Sequence, residues 1–212
     1  MSYVDSIKSY MLEYCNMKIM VDLDRVVVDC SSFIFRLANA IDKKTSKNNS
    51  LKYIEVNVEK EMQNMSALSF FRLVHDKVVT EVKGSVKTLK EWHSQGHEIH
   101  FVSSRPNIGM LKKATVKWFN KKEVNYSKLI YACNNKAEYC KQNNIDVMVD
   151  DNYANCRNAN KEGIHAVWLI NRYNMDDSTI AVGRFHPARN WREIDNAVQF
   201  INIQQNNKFL TK

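Results

Sequence analysis

Missing from this 212-residue chain is any uninterrupted apolar run near the roughly 20 residues that a membrane-spanning helix needs. Residues 1–16 interleave charged and apolar side chains and build no signal-peptide core. The expectation is an unprocessed cytoplasmic protein with no membrane partner. Also missing is any CxxC pair. The five cysteines, Cys15, Cys30, Cys133, Cys140 and Cys156, are odd in number, which argues against a disulfide framework or a zinc site and for free thiols acting as small buried apolar side chains. What is present, 44% hydrophobic and 25% charged residues, describes a globular chain that is neither disordered nor fibrous, one domain or one domain with an insertion. The formal net charge of +8 would draw phosphate-bearing ligands. Many lysines nevertheless fall on what read as helix faces, so a solvated surface is the plainer explanation, and a nucleic-acid partner is not favoured. Composition leaves the oligomeric state open.

The chain is organised around residues 18–30, KIMVDLDRVVVDC. A short apolar run stops on Asp22 and presents a second carboxylate at Asp24, and on an extended backbone the two project to the same side. Such a pair could hold a metal or handle protons, although acids after a buried strand often do no more than solvate the loop. Before it, Tyr3, Ile7, Tyr10, Met11 and Tyr14 recur at helical spacing; after it, Phe33, Ile34, Leu37, Ala38 and Ile41 do the same. Residues 42–50 read as a loop, 51–65 give mixed signals, and a helix is expected around Phe70, Phe71, Val74, Val78 and Val79.

From Gly84 onward the pattern is regular. A helix over 85–95 ends at Gly96, a strand over 98–102 runs into Ser103, Ser104, Arg105 and Pro106, and a helix passes through Leu111, Val116, Trp118 and Phe119. A strand over 128–132, a helix over 136–142, a strand over 146–149 ending in Asp150 and Asp151, a helix closing at Gly163 and a strand over 165–170 complete the alternation. A last amphipathic helix carries Trp191, Ile194, Val198 and Ile201. Strands alternating with helices of this length predict an α/β fold with a mainly parallel sheet flanked by helices on both faces. Ligands of such sheets bind at the carboxyl ends of the strands. That edge would collect Asp22 and Asp24, Ser103, and Asp150 and Asp151, with Lys136 opening a helix beside them. Four converging carboxylates repel unless a cation neutralises them, and hard oxygen ligands favour Mg²⁺. Magnesium with a hydroxyl and a lysine on one rim suggests phosphoryl transfer.

The order DLDRV, FVSS, Lys136, VMVDD resembles the four motifs of the haloacid dehalogenase-like phosphatases, over residues 18 to about 170. SSRP, Asn135-Lys136 before DVMVDDN, VWLINRYN and NWREI are similar to the 5'(3')-deoxyribonucleotidase and related nucleotidase branch. The resemblance implies a Rossmann-like core over 1–30 and 81–212, with a small helical cap over 31–80 inserted after the first strand. It implies that Asp22 is the nucleophile of an aspartyl-phosphate mechanism and Asp24 the acid and base. Mg²⁺ would sit on Asp22, the backbone carbonyl of Asp24, Asp150 and Asp151, and Ser103, Ser104 and Lys136 would bind the phosphate. A phosphorylated small molecule, first of all a nucleoside monophosphate, is the expected partner. Phe33, Phe70 and Phe71 are candidates to stack a base, their plainer explanation being the cap's own core. Arg105 sits where it could reach substrate or simply enter a helix.

Two departures stand out. Arg25 replaces the usual glycine, so it touches the phosphate, points to solvent or marks reduced activity. The Asp-aromatic pair common in deoxyribonucleotidases is here Asp29-Cys30, which weakens a pyrimidine preference. The alternatives are a phosphatase of polynucleotide ends or of other small molecules, and a catalytically silent binding protein on the same fold. A receiver domain is disfavoured by motif order and by length.

Overall fold

In the computed structural model, residues 16–29, 79–105, 107–171 and 184–210 are described. The apolar run after Met17 forms β1 (Lys18–Val21), followed by β2 (Val28–Asp29), β3 (Thr80–Glu81), α1 (Ser85–Ser94), β4 (Glu98–Val102) and α2 (Gly109–Lys122). Then come β5 (Lys128–Ile130), α3 (Lys136–Gln142), β6 (Val147–Asp150), α4 (Tyr153–Lys161), β7 (His165–Leu169), β8 (Phe185–Ala188) and α5 (Trp191–Leu210). Six strands form one sheet in the order β5-β4-β1-β6-β7-β8, and each neighbouring pair is parallel. Strands β1, β4, β6 and β7 are buried almost throughout, because helices cover both faces.

The two faces are read directly from the alternation. Ile19, Val21, Ile99, Phe101, Val147 and Val149 pack with Leu89 and Trp92 of α1, Phe119 of α2, and Trp191, Ile194 and Val198 of α5. Met20, Val102, Met148 and Trp168 point the other way, onto Ala137 and Cys140 of α3 and Cys156 and Ala159 of α4. The parallel α/β architecture expected from the sequence is therefore present. Cys133, Cys140 and Cys156 are free thiols, the last two buried, as expected; Cys15 and Cys30 lie outside the described residues. Among the described residues no helix is long and apolar enough to cross a membrane.

One strand corrects the sequence reading. The sheet does not end with the strand at 165–170, because β8 pairs in parallel with β7, placing Trp168 opposite Pro187. The segment FHPA carries a proline and no alternation, so it reads as a loop. It is tolerated because β8 is an edge strand, where a missing N–H costs no ladder bond on the open side. The short antiparallel pair β2–β3, with Val28 opposite Glu81 and Asp29 opposite Thr80, was equally unread. It brings the chain back beside the point where it left. The expected helices on Tyr3 and Phe33, the loop over 42–50, the helix around Phe70 and most of the cap over 31–80 lie outside the described residues.

The turn before β4 ties the starts of β1 and β4 together. Gly96 has φ 89°, as a left-handed helix end requires, and a Cβ there would stand 2.7 Å from Asn16 Oδ1. Next to it the buried Met17 N–H donates to His97 Nδ1 at 3.2 Å, which requires an unprotonated nitrogen. Burial lowers the His97 imidazole below its ordinary 6.5, against the upward pull of Asp146 and Asp195. As pH falls through about 6.5 the unfolded chain takes up this proton before the folded one does, so the contribution of His97 to folding stability is complete above that pH and declines below it. Because the raised Asp22 and Asp151 carboxyls stabilise the fold in the acid direction, the His97 contribution is read as a difference: between pH 8 and 5.5 the urea midpoint of His97→Gln is expected to gain on that of wild type on the acid side. An identical pH dependence in the variant would remove His97 from the effect.

Candidate active site

Because β1, β4 and β6 are parallel neighbours, with Val21 opposite both Phe101 and Val149, their carboxyl ends share one edge. Strand order diverges at β1, the place where open α/β sheets form their crevice. Asp22 follows β1 and continues its ladder, its N–H donating to Val149 O at 2.9 Å. The backbone then leaves the strand in a tight turn, Val27 and Val28 N–H both donating to Leu23 O. Three elements pin this turn: Ser85 Oγ donates to Val27 O, Val82 N–H to the same carbonyl, and Trp191 Nε1 to Val26 O at 2.7 Å.

The turn sends the two motif acids to different partners. Asp22 is buried, and its Oδ1 accepts from Lys136 Nζ at 2.6 Å; the same ammonium donates to Asp150 Oδ2 at 2.7 Å. Among the described residues the other oxygen of Asp22, Oδ2, accepts no hydrogen bond. Ligand oxygens of Asp22, Asp150 and Asp151 lie within 4.8 Å of one another, and all three residues are buried. Asp24 is not part of this group through its side chain. It is paired with Arg105, Nε to Oδ2 at 2.8 Å and Nη2 to Oδ1 at 2.6 Å, and has 40% of its side chain exposed. In place of the expected convergence of four side-chain carboxylates, Asp22, Asp150 and Asp151 form the cluster, because the chain turns after Asp22 instead of continuing extended.

Each carboxylate of the cluster is supported. Asp150 Oδ1 accepts from Asn152 N at 2.7 Å and Oδ2 from Asn155 Nδ2 at 3.1 Å. Asn152 also caps α4, accepting from Ala154 N and Asn155 N. Asp151 is anchored through its carbonyl by Trp168 Nε1 at 3.0 Å, while its Oδ2 meets Arg25 Nε at 3.0 Å and Asn171 Nδ2 at 3.4 Å. Asn152, Asn155 and Asn171 went unnoticed in the sequence; the signal was present in DDNYAN, where an asparagine directly follows the acids and opens a helix. Arg25 has φ 64°, a left-handed conformation that a non-glycine residue adopts at a cost of about 1–2 kcal/mol, and its ion pair with Asp151 offsets part of that cost. Arg25 is thus seated on the cluster's flank.

Three carboxylates packed this closely in a buried place make one another harder to ionise, and among the described residues Lys136 and Arg25 oppose that. Burial pushes the Asp22 carboxyl up to about 8; Lys136 pulls it back, and Asp150, Asp24 and Asp151 add to the rise. Burial likewise raises Asp151 to about 6, Arg25 opposing and Asp150 adding. Lys136 is pushed upward, because Asp22 and Asp150 outweigh its own burial. At Asp24 burial works upward too, but the Arg105 guanidinium prevails and holds the carboxyl below its ordinary range.

The other expected site residues are placed as follows. Ser103 is buried at the end of β4, and its Oγ accepts from Arg105 N at 3.1 Å. Ser104 is exposed and donates to Cys133 O at 3.2 Å. Phe33, Phe70 and Phe71 lie outside the described residues.

This fold has counterparts among solved structures. The chain has the haloacid dehalogenase-like fold. It matches a haloacid dehalogenase-like family hydrolase from Streptococcus pneumoniae at TM-score 0.55 and 11% identity, over 87% of this chain and 98% of that one. It matches another hydrolase so described, from Xanthomonas campestris, at TM-score 0.58 and 10% identity, over 89% and 97%. In sequence it is 27% identical over 183 residues to a nucleotidase from Clostridium acetobutylicum, covering 84% of this chain and 91% of that protein. No family model matches the chain. The resemblance read from the four motifs is thus borne out at the level of the fold.

Proposed function

We propose that this protein is a Mg²⁺-dependent phosphomonoester hydrolase that works through an aspartyl-phosphate on Asp22 and acts on nucleoside monophosphates. The observation that carries the proposal is the state of Asp22: one oxygen is held by Lys136, the other accepts no hydrogen bond among the described residues, and the carboxylate is buried within a cluster of two more. Support for the nucleotide comes from the relative named a nucleotidase.

The donor set fits a hard divalent cation, because three buried carboxylates whose oxygens lie within 4.8 Å of one another are the ligands such an ion takes. Asp22, Asp150 and Asp151 would hold it with the carbonyl of Asp24, and when bound it supplies electrostatic stabilisation of the phosphoryl oxygens. The chain's own residues do the rest. Asp22 Oδ2 attacks phosphorus, the ester P–O bond breaks, and the leaving oxygen takes through Asp24 the proton that a monoanionic phosphate ester brings, since Asp24 itself enters ionised beside Arg105. A water then attacks the phosphorus of the acyl phosphate, gives its proton to Asp24, and releases phosphate with Asp22 regenerated. Lys136, Ser103 and Ser104 are assigned to the phosphoryl oxygens. Residues 31–80 are assigned to the cap that supplies leaving-group specificity, with Phe33, Phe70 and Phe71 its candidate base-stacking side chains.

The Arg25–Asp151 ion pair favours a second reading, a silent binding protein on this fold, since the guanidinium occupies an oxygen that the cation would share. Phosphate release screened over nucleoside monophosphates, sugar phosphates and 3'-phosphorylated oligonucleotides, with Mg²⁺ or with chelator, separates the readings. Turnover of nucleoside monophosphates only with Mg²⁺ is the expected result. Turnover of oligonucleotides alone would make it an end-processing phosphatase, and no turnover of any substrate would favour the silent protein.

A further inference from the structure

Arg105 takes no part in the chemistry above, yet it is built into Asp24 from three elements. Besides the two bonds of its fork to Asp24, its Nη1 donates to Thr115 Oγ1 at 3.1 Å. Thr115 is buried in α2 and spends its own proton on Leu111 O at 2.9 Å, so its oxygen is oriented to accept. The Arg105 backbone is fixed as well, its N–H donating to Ser103 Oγ and its carbonyl accepting from Ala132 N. The side chain is 9% exposed, against 40% for Asp24. A rigid arm anchored on β4 and α2 therefore grips a half-exposed carboxylate carried by a turn.

We propose that Arg105 is a positioning residue: its fork fixes the plane of the Asp24 carboxylate for proton exchange with the leaving-group oxygen. This rests on Asp24 being the proton-transfer group. An exposed carboxylate on a turn samples several rotamers, whereas proton transfer demands a heavy-atom approach of about 2.6–3.2 Å. A bidentate guanidinium imposes one orientation and leaves each carboxylate oxygen a further lone pair for the substrate. A lysine ammonium, a single point of charge, cannot impose that plane.

The test uses the magnesium-loaded full chain and two substrates that share a phosphate and differ in their need for a proton. Phenyl phosphate has a poor leaving group; 2,4-dinitrophenyl phosphate departs without protonation. Arg105→Met is expected to lower kcat/KM for phenyl phosphate by about 10- to 100-fold, the cost of a displaced catalytic group, and to change kcat/KM for the dinitrophenyl ester, which reports the step that expels dinitrophenolate and not the later hydrolysis, little. Arg105→Lys should recover little. Thr115→Val, which loosens only the far anchor, should act in the same direction and more weakly. Arg105→Met added to Asp24→Asn should cost nothing further. The dinitrophenyl rate also reports that each variant is folded. Equal losses on both substrates in Arg105→Met, or full additivity with Asp24→Asn, would overturn the positioning role while leaving Asp24 in place. Equal losses on both substrates in Asp24→Asn itself would instead overturn the role of Asp24, and that of Arg105 with it.

Discussion

Asp22→Asn is expected to abolish phosphate release, with kcat reduced on the order of 10⁴-fold or more, while the protein stays folded. The amide oxygen that replaces the carboxylate is a poor nucleophile, so no acyl phosphate forms. The shape of the side chain is kept, and Lys136 retains Asp150 as a partner at 2.7 Å. Burial disfavours the charge on Asp22, as its rise to about 8 shows, so replacing it with a neutral amide removes a repulsive member from the cluster. Thermal unfolding of the metal-free variant should therefore come at the same temperature as wild type or higher. A loss of activity accompanied by a lowered unfolding temperature would point to a structural defect, and retained activity would remove Asp22 as nucleophile.

Lys136→Met carries the second large effect, and on stability first. Lys136 is 4% exposed and bridges two buried carboxylates. Truncating it leaves both without a cation, and breaking a buried pair by removing one partner costs about 3–5 kcal/mol. Denaturant unfolding without metal should show a loss of that size. On the proposed function Mg²⁺ would bind the folded cluster and replace part of the missing charge, so it should raise the unfolding midpoint of Lys136→Met more than that of wild type. Activity should also fall about 10²- to 10³-fold for want of a cation at the phosphoryl oxygens. A variant as stable as wild type without metal, or one indifferent to Mg²⁺, would show that Lys136 does not balance the cluster.

Much of this was legible in the sequence for a simple reason. A buried parallel strand is a short apolar run, and where the run stops on an acid the strand has reached the sheet's edge. Asp22 and Asp150 could be read that way, and Lys136 followed from its place at a helix start. The contacts that set the electrostatics could not. Arg105 and Asp24 stand 81 residues apart, and nothing local in SSRP says that its arginine turns onto the first motif. Arg25 looked like an intrusion where glycine was expected; its pairing with Asp151 depends on a left-handed turn that no propensity favours for arginine. Strand β8 escaped because an edge position tolerates a proline and needs no alternation. The departure of Asp24 from the carboxylate cluster escaped because an extended backbone was assumed beyond Asp22, where the chain already turns.

The central claim is a covalent phosphate on one carboxylate, and it can be trapped. The magnesium-loaded protein is quenched in acid during turnover of a nucleoside monophosphate, reduced with borohydride, which converts an acyl phosphate to an alcohol, and mapped by peptide mass spectrometry. The account predicts homoserine in place of Asp22 and unmodified Asp24, Asp150 and Asp151, with no conversion when Mg²⁺ is chelated. Phosphate release with Asp22 unmodified, or conversion at another carboxylate, would contradict it.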